Sequence, residues 1–197
     1  MRSDARSNRQ RILEAAAEVL AVPGDTSLKS IARRAGVGQG TLYRHFPTRE
    51  SLVLEVYWED VEALVDAVPG LLAALCPSLA LRAWLERLLT LGRYEPEFAD
   101  ALAGMAAGVP TEQCRQACRP LLDALTALVD ANEKAGTIAP GTTADDVLLL
   151  LGPLWRVGAQ ETRPARSGRL LDVLLRGLCP SDATSAAPVP EGARHRA

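Results

Sequence analysis

The chain has 197 residues, 48% of them apolar, and a formal charge of −2, a composition that supports a globular protein with a buried core. Nine Arg/Lys stand against five Asp/Glu in residues 1–50 and thirteen against nineteen in the remainder, so a basic amino-terminal part is joined to an acidic body, and a polyanionic partner is expected for the first part alone. The polar, Arg-rich start has no signal-peptide pattern, and the longest apolar stretch, residues 147–155, is far too short to cross a bilayer, which predicts a soluble, cytoplasmic protein with no membrane partner.

Apolar residues recur at helical spacing along the chain, and no stretch alternates as a half-buried strand does. An all-α fold of about nine helices is predicted. The first starts at Ser7, where Ser7 and Gln10 have capping-box spacing. It carries Ile12, Leu13, Ala16, Val19 and Leu20 on one face and stops at Pro23 and Gly24. The second follows Thr26 and Ser27, either of which can cap it. It buries Leu28, Ile31, Ala32 and Ala35 and ends at Gly36, a residue suited to a left-handed C-cap. A short third helix spans residues 39–46, closed by Pro47. Thr48 caps a fourth, residues 49–68, ended by Pro69 and Gly70.

Further helices are predicted at 78–94, 97–107, 111–135, 143–160 and 165–178. Pro120 and Pro153 are expected to kink or split theirs. Thr143 and Asp146 have cap spacing, and Asp145 and Asp146 suit the positive helix start. After Cys179 the Pro-, Ala- and Ser-rich sequence has no periodicity and reads as a disordered tail. The four cysteines lack CxxC spacing and only two histidines are present. No zinc site and no cofactor are therefore expected, and the thiols are read as reduced and packed.

The third helix concentrates unusual residues. Stepping about 100° per residue puts Leu42 and Phe46 on one side and Arg44 directly opposite. Gly40 and Thr41 lie either side of Arg44, Tyr43 and His45 flank that face, and Gln39 stands at the helix start. A helix entering the DNA major groove needs this division: its outermost face meets base edges and its flanks meet phosphate walls. Arg44 can donate twice to guanine, Gln39 can pair with adenine and Thr41 can touch a thymine methyl. Gly40 permits close backbone approach. Tyr43 and His45 are placed for phosphates, as are Thr26 and Ser27 at the second helix start and Arg49 at the fourth. Joined by Gly36-Val37-Gly38, the second and third helices form a helix-turn-helix. The same shape also occurs in all-α proteins that bind no DNA. Arg2, Arg6 and Arg9 form a basic arm that can reach the minor groove, although such arms are more often mobile.

The stretch SLKSIARRAGVGQGTLYRHFPTRESLVLEVY, residues 27–57, resembles the DNA-binding region of the TetR family of bacterial transcriptional regulators, and the likeness spans residues 7–68. Ile31-Ala32, Ala35-Gly36-Val37, Gly40-Thr41-Leu42-Tyr43, His45-Phe46, Thr48 and Glu50 carry it. The resemblance implies a homodimer of all-α subunits. Each would have a three-helix head at residues 1–47 and a helical ligand-binding and dimerisation body at residues 48–179, linked by the fourth helix, before the tail at 180–197. Carried over by position, Gln39, Gly40, Thr41 and Arg44 are base readers, and Thr26, Ser27, Tyr43, His45, Thr48 and Arg49 are phosphate contacts. Gly38 departs from the pattern, standing where a Ser or Thr often caps the third helix. The family's members are usually repressors released from double-stranded operator DNA by a small molecule.

In the body, Trp84, Leu88, Tyr94, Phe98, Met105, Cys114, Cys118, Leu122 and Trp155 are candidate lining for an effector pocket; plain core packing is the simpler reading of each. Their apolar bias suggests an apolar or amphipathic effector. Cys114 and Cys118, four apart on one helix face, read either as a packed seam or as a thiol sensor. Val147, Leu148, Leu151, Trp155, Leu170, Leu171, Leu174 and Leu175 lie on helices apolar on more than one face, which suggests burial against a second subunit. A DNA-binding homodimer, not an enzyme, is the reading adopted. Its alternatives are an activator, a regulator without a small-molecule effector, and, more distantly, an all-α enzyme or structural dimer.

Overall fold

The computed structural model describes residues 2–22, 24–108, 112–160 and 164–180. Among these residues the chain forms ten helices and no strand. They are α1 (Arg2–Leu20), α2 (Leu28–Ala35), α3 (Gln39–His45), α4 (Arg49–Val56), α5 (Trp58–Ala74), α6 (Pro77–Tyr94), α7 (Pro96–Ala107), α8 (Glu112–Lys134), α9 (Ala144–Gln160) and α10 (Pro164–Gly177). No helix among the described residues is long and apolar enough to cross a membrane. The tail expected to be disordered lies outside the described residues from position 181 onward.

Three expectations about boundaries need correction. α1 begins at Arg2, so Ser7 is inside the helix and caps nothing; Gln10 Nε2 instead donates to Glu14 Oε1 at 3.1 Å, one turn on. The single fourth helix is two, which raises the count from nine to ten. They meet at Tyr57, whose φ of −95° and ψ of 23° leave the helical region, although its N–H still donates to Val53 O at 3.2 Å. Pro69 lies inside α5 and does not end it. Pro69 and Gly70 are exposed while Val68 and Leu71 are buried. The carbonyl left without a donor therefore falls on the solvent side, where water can take it, and the apolar face continues past it. Pro120 and Pro153 likewise sit within unbroken helices.

Other local expectations hold. Gly36 closes α2 at φ 62°, its N–H directed at the Ala32 and Arg33 carbonyls. A Cβ there would also stand 2.8 Å from Arg11 Nη2. Thr143 caps α9: Asp146 N donates to Thr143 Oγ1 at 3.2 Å, and Thr143 N donates back to Asp146 Oδ2 at 3.0 Å.

Two hydrophobic clusters form the interior. The smaller gathers Ile12, Ala15 and Ala16 of α1, Ile31, Ala32 and Ala35 of α2, Leu42 and Phe46 around α3, and Leu52 of α4. The larger runs through α4 to α10 and includes Val53, Leu54, Leu64, Trp84, Leu88, Phe98, Leu102, Leu125 and Val147. Each fully buried side chain of this size contributes about 1.5–3 kcal/mol by leaving water. α4 belongs to both: Leu52 faces the head, while its neighbours Val53 and Leu54 face the body. Within the body, Trp155 packs so close to α6 that a Cβ on Gly92 would sit 2.5 Å from its Nε1. That indole N–H is buried and has no acceptor among the described residues.

Candidate nucleic-acid interface

Local chemistry fixes α2 and α3 as a pair. Ser27 caps α2, its Oγ accepting from Ser30 N at 3.2 Å. The side chain of Asp25 accepts from Ser27 N at 3.0 Å; its hydrogen bonds from Ser27 lower its pKa. At the other end of α2, Arg11 of α1 donates to Ala35 O at 2.6 Å and to Gly36 O at 3.3 Å. This puts a cation at the helix C-terminus, where the helix dipole favours it. Gly38 starts α3 with ordinary extended angles and no side-chain cap bond, as its lack of a hydroxyl requires. Leu42 and Phe46 are buried at 0% and 3% exposure and moor α3 to the head core.

What remains of α3 faces outward. Gln39, Gly40, Tyr43 and Arg44 are exposed, and Thr41 and His45 are half-buried. A Cβ on Gly40 would meet nothing within 4 Å. The angular reading thus agrees with the burial pattern: Arg44 is exposed opposite the buried Leu42 and Phe46, while Tyr43 is 49% exposed beside it. Ser27 is exposed at the start of α2.

Besides the capping Ser27, three more of the residues read as phosphate contacts have internal work. Thr48 caps α4 in a reciprocal box with Ser51, accepting from Ser51 N at 3.1 Å. Arg49 donates through Nη1 to the Thr26 carbonyl and through Nη2 to Thr26 Oγ1 at 3.0 Å. Its Nη2 also lies 2.6 Å from Glu97 Oε2 on α7. Neither Arg49's internal role nor the participation of Glu97 follows from helical spacing. A cation at the first position of a helix is an unfavourable placement, and that oddity was the available signal. The basic arm is partly committed as well: Arg9 pairs with Glu55 at 2.6 Å and lies 5.3 Å from the centre of the Phe46 ring. Arg6 is exposed. The side chain of Arg2 lies outside the described residues.

The body candidates are distributed unevenly. Trp84, Leu88, Phe98, Met105, Cys118 and Trp155 are in the buried core, with Leu122 packed against it. Cys118 Sγ lies 3.4 Å from Met105 Sδ. The Cys114 side chain lies outside the described residues. Tyr94 is 74% exposed, with the Arg93 guanidinium 5.5 Å from its ring centre. It borders open clefts of about 680 and 650 Å³. Trp155 borders a cavity of about 250 Å³ together with Glu86, Thr90, Arg93 and Ser167. Among the residues read as dimer contacts, Val147, Leu148, Leu151, Trp155 and Leu171 are buried within the one subunit, and Leu170, Leu174 and Leu175 are partly buried. The exposed apolar residues of α9 and α10 are Leu149, Leu150 and Val173. Among the described residues no group of three or more His, Cys, Asp or Glu could hold a metal ion.

A capped helix, a tight glycine turn and a short helix with an outward Arg44 face form a helix-turn-helix of the kind that offers its second helix to the DNA major groove. Residues 12–56 match the bacterial regulatory proteins of the tetR family, and residues 76–180 match the SbtR-like transcriptional regulator C-terminal domain. The chain belongs to the TetR family of bacterial transcriptional regulators. It is 40% identical over 67 residues to an HTH-type transcriptional regulator of Staphylococcus aureus strain USA300, covering 33% of this chain and 36% of that protein; the chain thus spans about a third of the length of the curated relatives it matches. It is 42% identical to the TetR transcriptional regulator SCO0520 from Streptomyces coelicolor, covering 88% of this chain and 99% of that one with a TM-score of 0.54. The Thermus thermophilus FadR repressor, crystallised with lauroyl-CoA, shares the fold at 23% identity, covering 93% of this chain and 100% of that one with a TM-score of 0.64.

Proposed function

We propose that this regulator is a repressor that binds a palindromic operator as a homodimer and leaves it when a small molecule enters the body. The observation that carries the reading is the outward face of α3, where Arg44 is exposed opposite the buried Leu42 and Phe46. Arg44, Gln39 and Thr41 read base edges, with Gly40 allowing approach. Tyr43, His45, Ser27 and the α2 start hold phosphates, which set affinity more than sequence. Thr26, Thr48 and Arg49 act at the same border mainly by fixing the head.

Two subunits are needed because a palindromic site presents the same half-site twice, a helical turn or a multiple of it apart. Leu149, Leu150 and Val173, exposed on α9 and α10, supply the apolar face for that pairing. The effector is apolar or amphipathic. The Thermus thermophilus relative's lauroyl-CoA supports a ligand of that kind, and the buried, unpartnered Trp155 N–H offers it one polar anchor. A ligand shifts the equilibrium only by binding one form better than the other, so it must favour a head spacing that does not fit the operator.

The test begins with DNA selected from a random pool and fluorescence anisotropy across salt. Affinity should fall steeply with salt, as phosphate neutralisation requires. Arg44→Ala should then lose discrimination at one base position of each half-site by about 1–3 kcal/mol, the worth of a bidentate contact. A variant that still prefers the same base at every position removes Arg44 from the reading face.

A further inference from the structure

One guanidinium joins the starts of three helices. Arg49 is the first residue of α4, Thr26 immediately precedes the α2 cap, and Glu97 lies in the first turn of α7. Arg49 reaches Thr26 through its carbonyl and, at 3.0 Å, through Oγ1; it reaches Glu97 at 2.6 Å. A cation beside helix amino termini is repelled by the exposed N–H groups there. The contact with Thr26 therefore needs a compensating anion, and Glu97 supplies it. Both side chains are about two-thirds withdrawn from solvent, at 31% and 27% exposure, so the pair is screened less than one on the open surface.

The same turn of α7 also holds the far end of α4. Tyr57, at the α4–α5 break, packs edge-on against Phe98 with ring centres 6.0 Å apart. Burial and the neighbouring Glu95 carboxylate raise the pKa of its hydroxyl. α4 is thereby gripped at both ends by residues 95–98. α7 in turn packs against α9, which carries the exposed Leu149 and Leu150.

We propose that Glu97 is a positioning residue for DNA binding: through Arg49 it ties the phosphate-facing start of α2 to the body. This rests on the DNA-binding reading of α2 and α3. It makes the start of α7 the place where a rearrangement of the body first reaches the head. It also assigns Arg49 a holding role in place of a direct phosphate contact.

Three measurements on the full chain decide it. Glu97→Ala should weaken operator binding about threefold, the scale of a partly exposed ion pair, with the salt slope unchanged because no phosphate contact is lost. Combined with Arg49→Gln, it should add nothing to the loss caused by Arg49→Gln alone, since both act through one contact. Without DNA, hydrogen exchange at the Lys29, Ser30 and Ile31 amides should accelerate in Glu97→Ala. Tighter binding with a steeper salt slope would mean that Glu97 withholds Arg49 from phosphate, and overturns the proposal; additive losses in the double variant, or unchanged exchange at the three amides, also overturn it. If the unsubstituted protein selects no DNA, the functional reading fails, and exchange alone still decides the positioning role.

Discussion

Two glycines four residues apart, Gly36 and Gly40, do opposite things, and the difference lies in what surrounds their absent side chains. Gly36 has a positive φ and Arg11 Nη2 at 2.8 Å from any Cβ, so a side chain there strains the backbone and must push the Arg11 guanidinium aside. Gly40 sits inside α3 with open space around it. A glycine inside a helix costs about 1 kcal/mol relative to alanine. Gly40→Ala should therefore raise unfolding stability by about 0.5–1 kcal/mol in denaturant titration. The same substitution should weaken operator binding, because the new methyl stands on the surface proposed to face the bases. Undiminished binding by a stabilised Gly40→Ala protein would show that close approach is not the reason for the glycine.

Three helix caps were legible in the sequence, because capping is short-range chemistry. Ser27, Thr48 and Thr143 each cap the helix expected of them. The α9 cap has a pH signature. Hydrogen bonds from the Thr143 hydroxyl and N–H lower the pKa of Asp146. A carboxyl with a depressed folded pKa stabilises above its unfolded value, near 4, and loses that contribution as pH falls through the folded value. Asp146→Asn should lower the melting temperature at pH 7, with the gap to the unsubstituted protein closing as pH falls below about 4. A gap that stays constant as pH falls would mean the charge is not what the cap uses.

What sequence could not show at this scale depended on partners far along the chain. Ser7 and Gln10 had the spacing of a cap, but the helix continued through them to Arg2. Pro69 looked like an ending, but burial of Leu71 carried α5 past it. The outward face of α3 was legible because seven residues fix their own angles. The links from Arg49 to Glu97 and from Trp155 to Gly92 span 48 and 63 positions and leave no periodic trace. The all-apolar run Leu148 to Leu151 shows the same limit. Its period could not say which leucines the subunit itself covers; Leu148 and Leu151 are buried, and Leu149 and Leu150 are not.

At the scale of the molecule, the proposed pairing of subunits rests on the exposed leucines of α9 and Val173 of α10. Val173 is 66% exposed, so replacing it costs little within one subunit. Val173→Glu should leave the circular dichroism of the protein unchanged while halving its mass in light scattering, and operator binding should fall with the loss of the second half-site. A dimeric mass for Val173→Glu would place the subunit contact elsewhere.

The division of α4 between two cores has a thermodynamic consequence. A head of roughly fifty residues is a marginal folding unit by itself, and this one completes its interior with Leu52 from a helix whose next two residues are anchored in the body. Its stability is therefore partly borrowed. Melting of the body releases α4 and takes the last wall of the head core with it. The two parts should thus unfold in one cooperative transition, and a head cut off at residue 47 would lack the leucine that seals it.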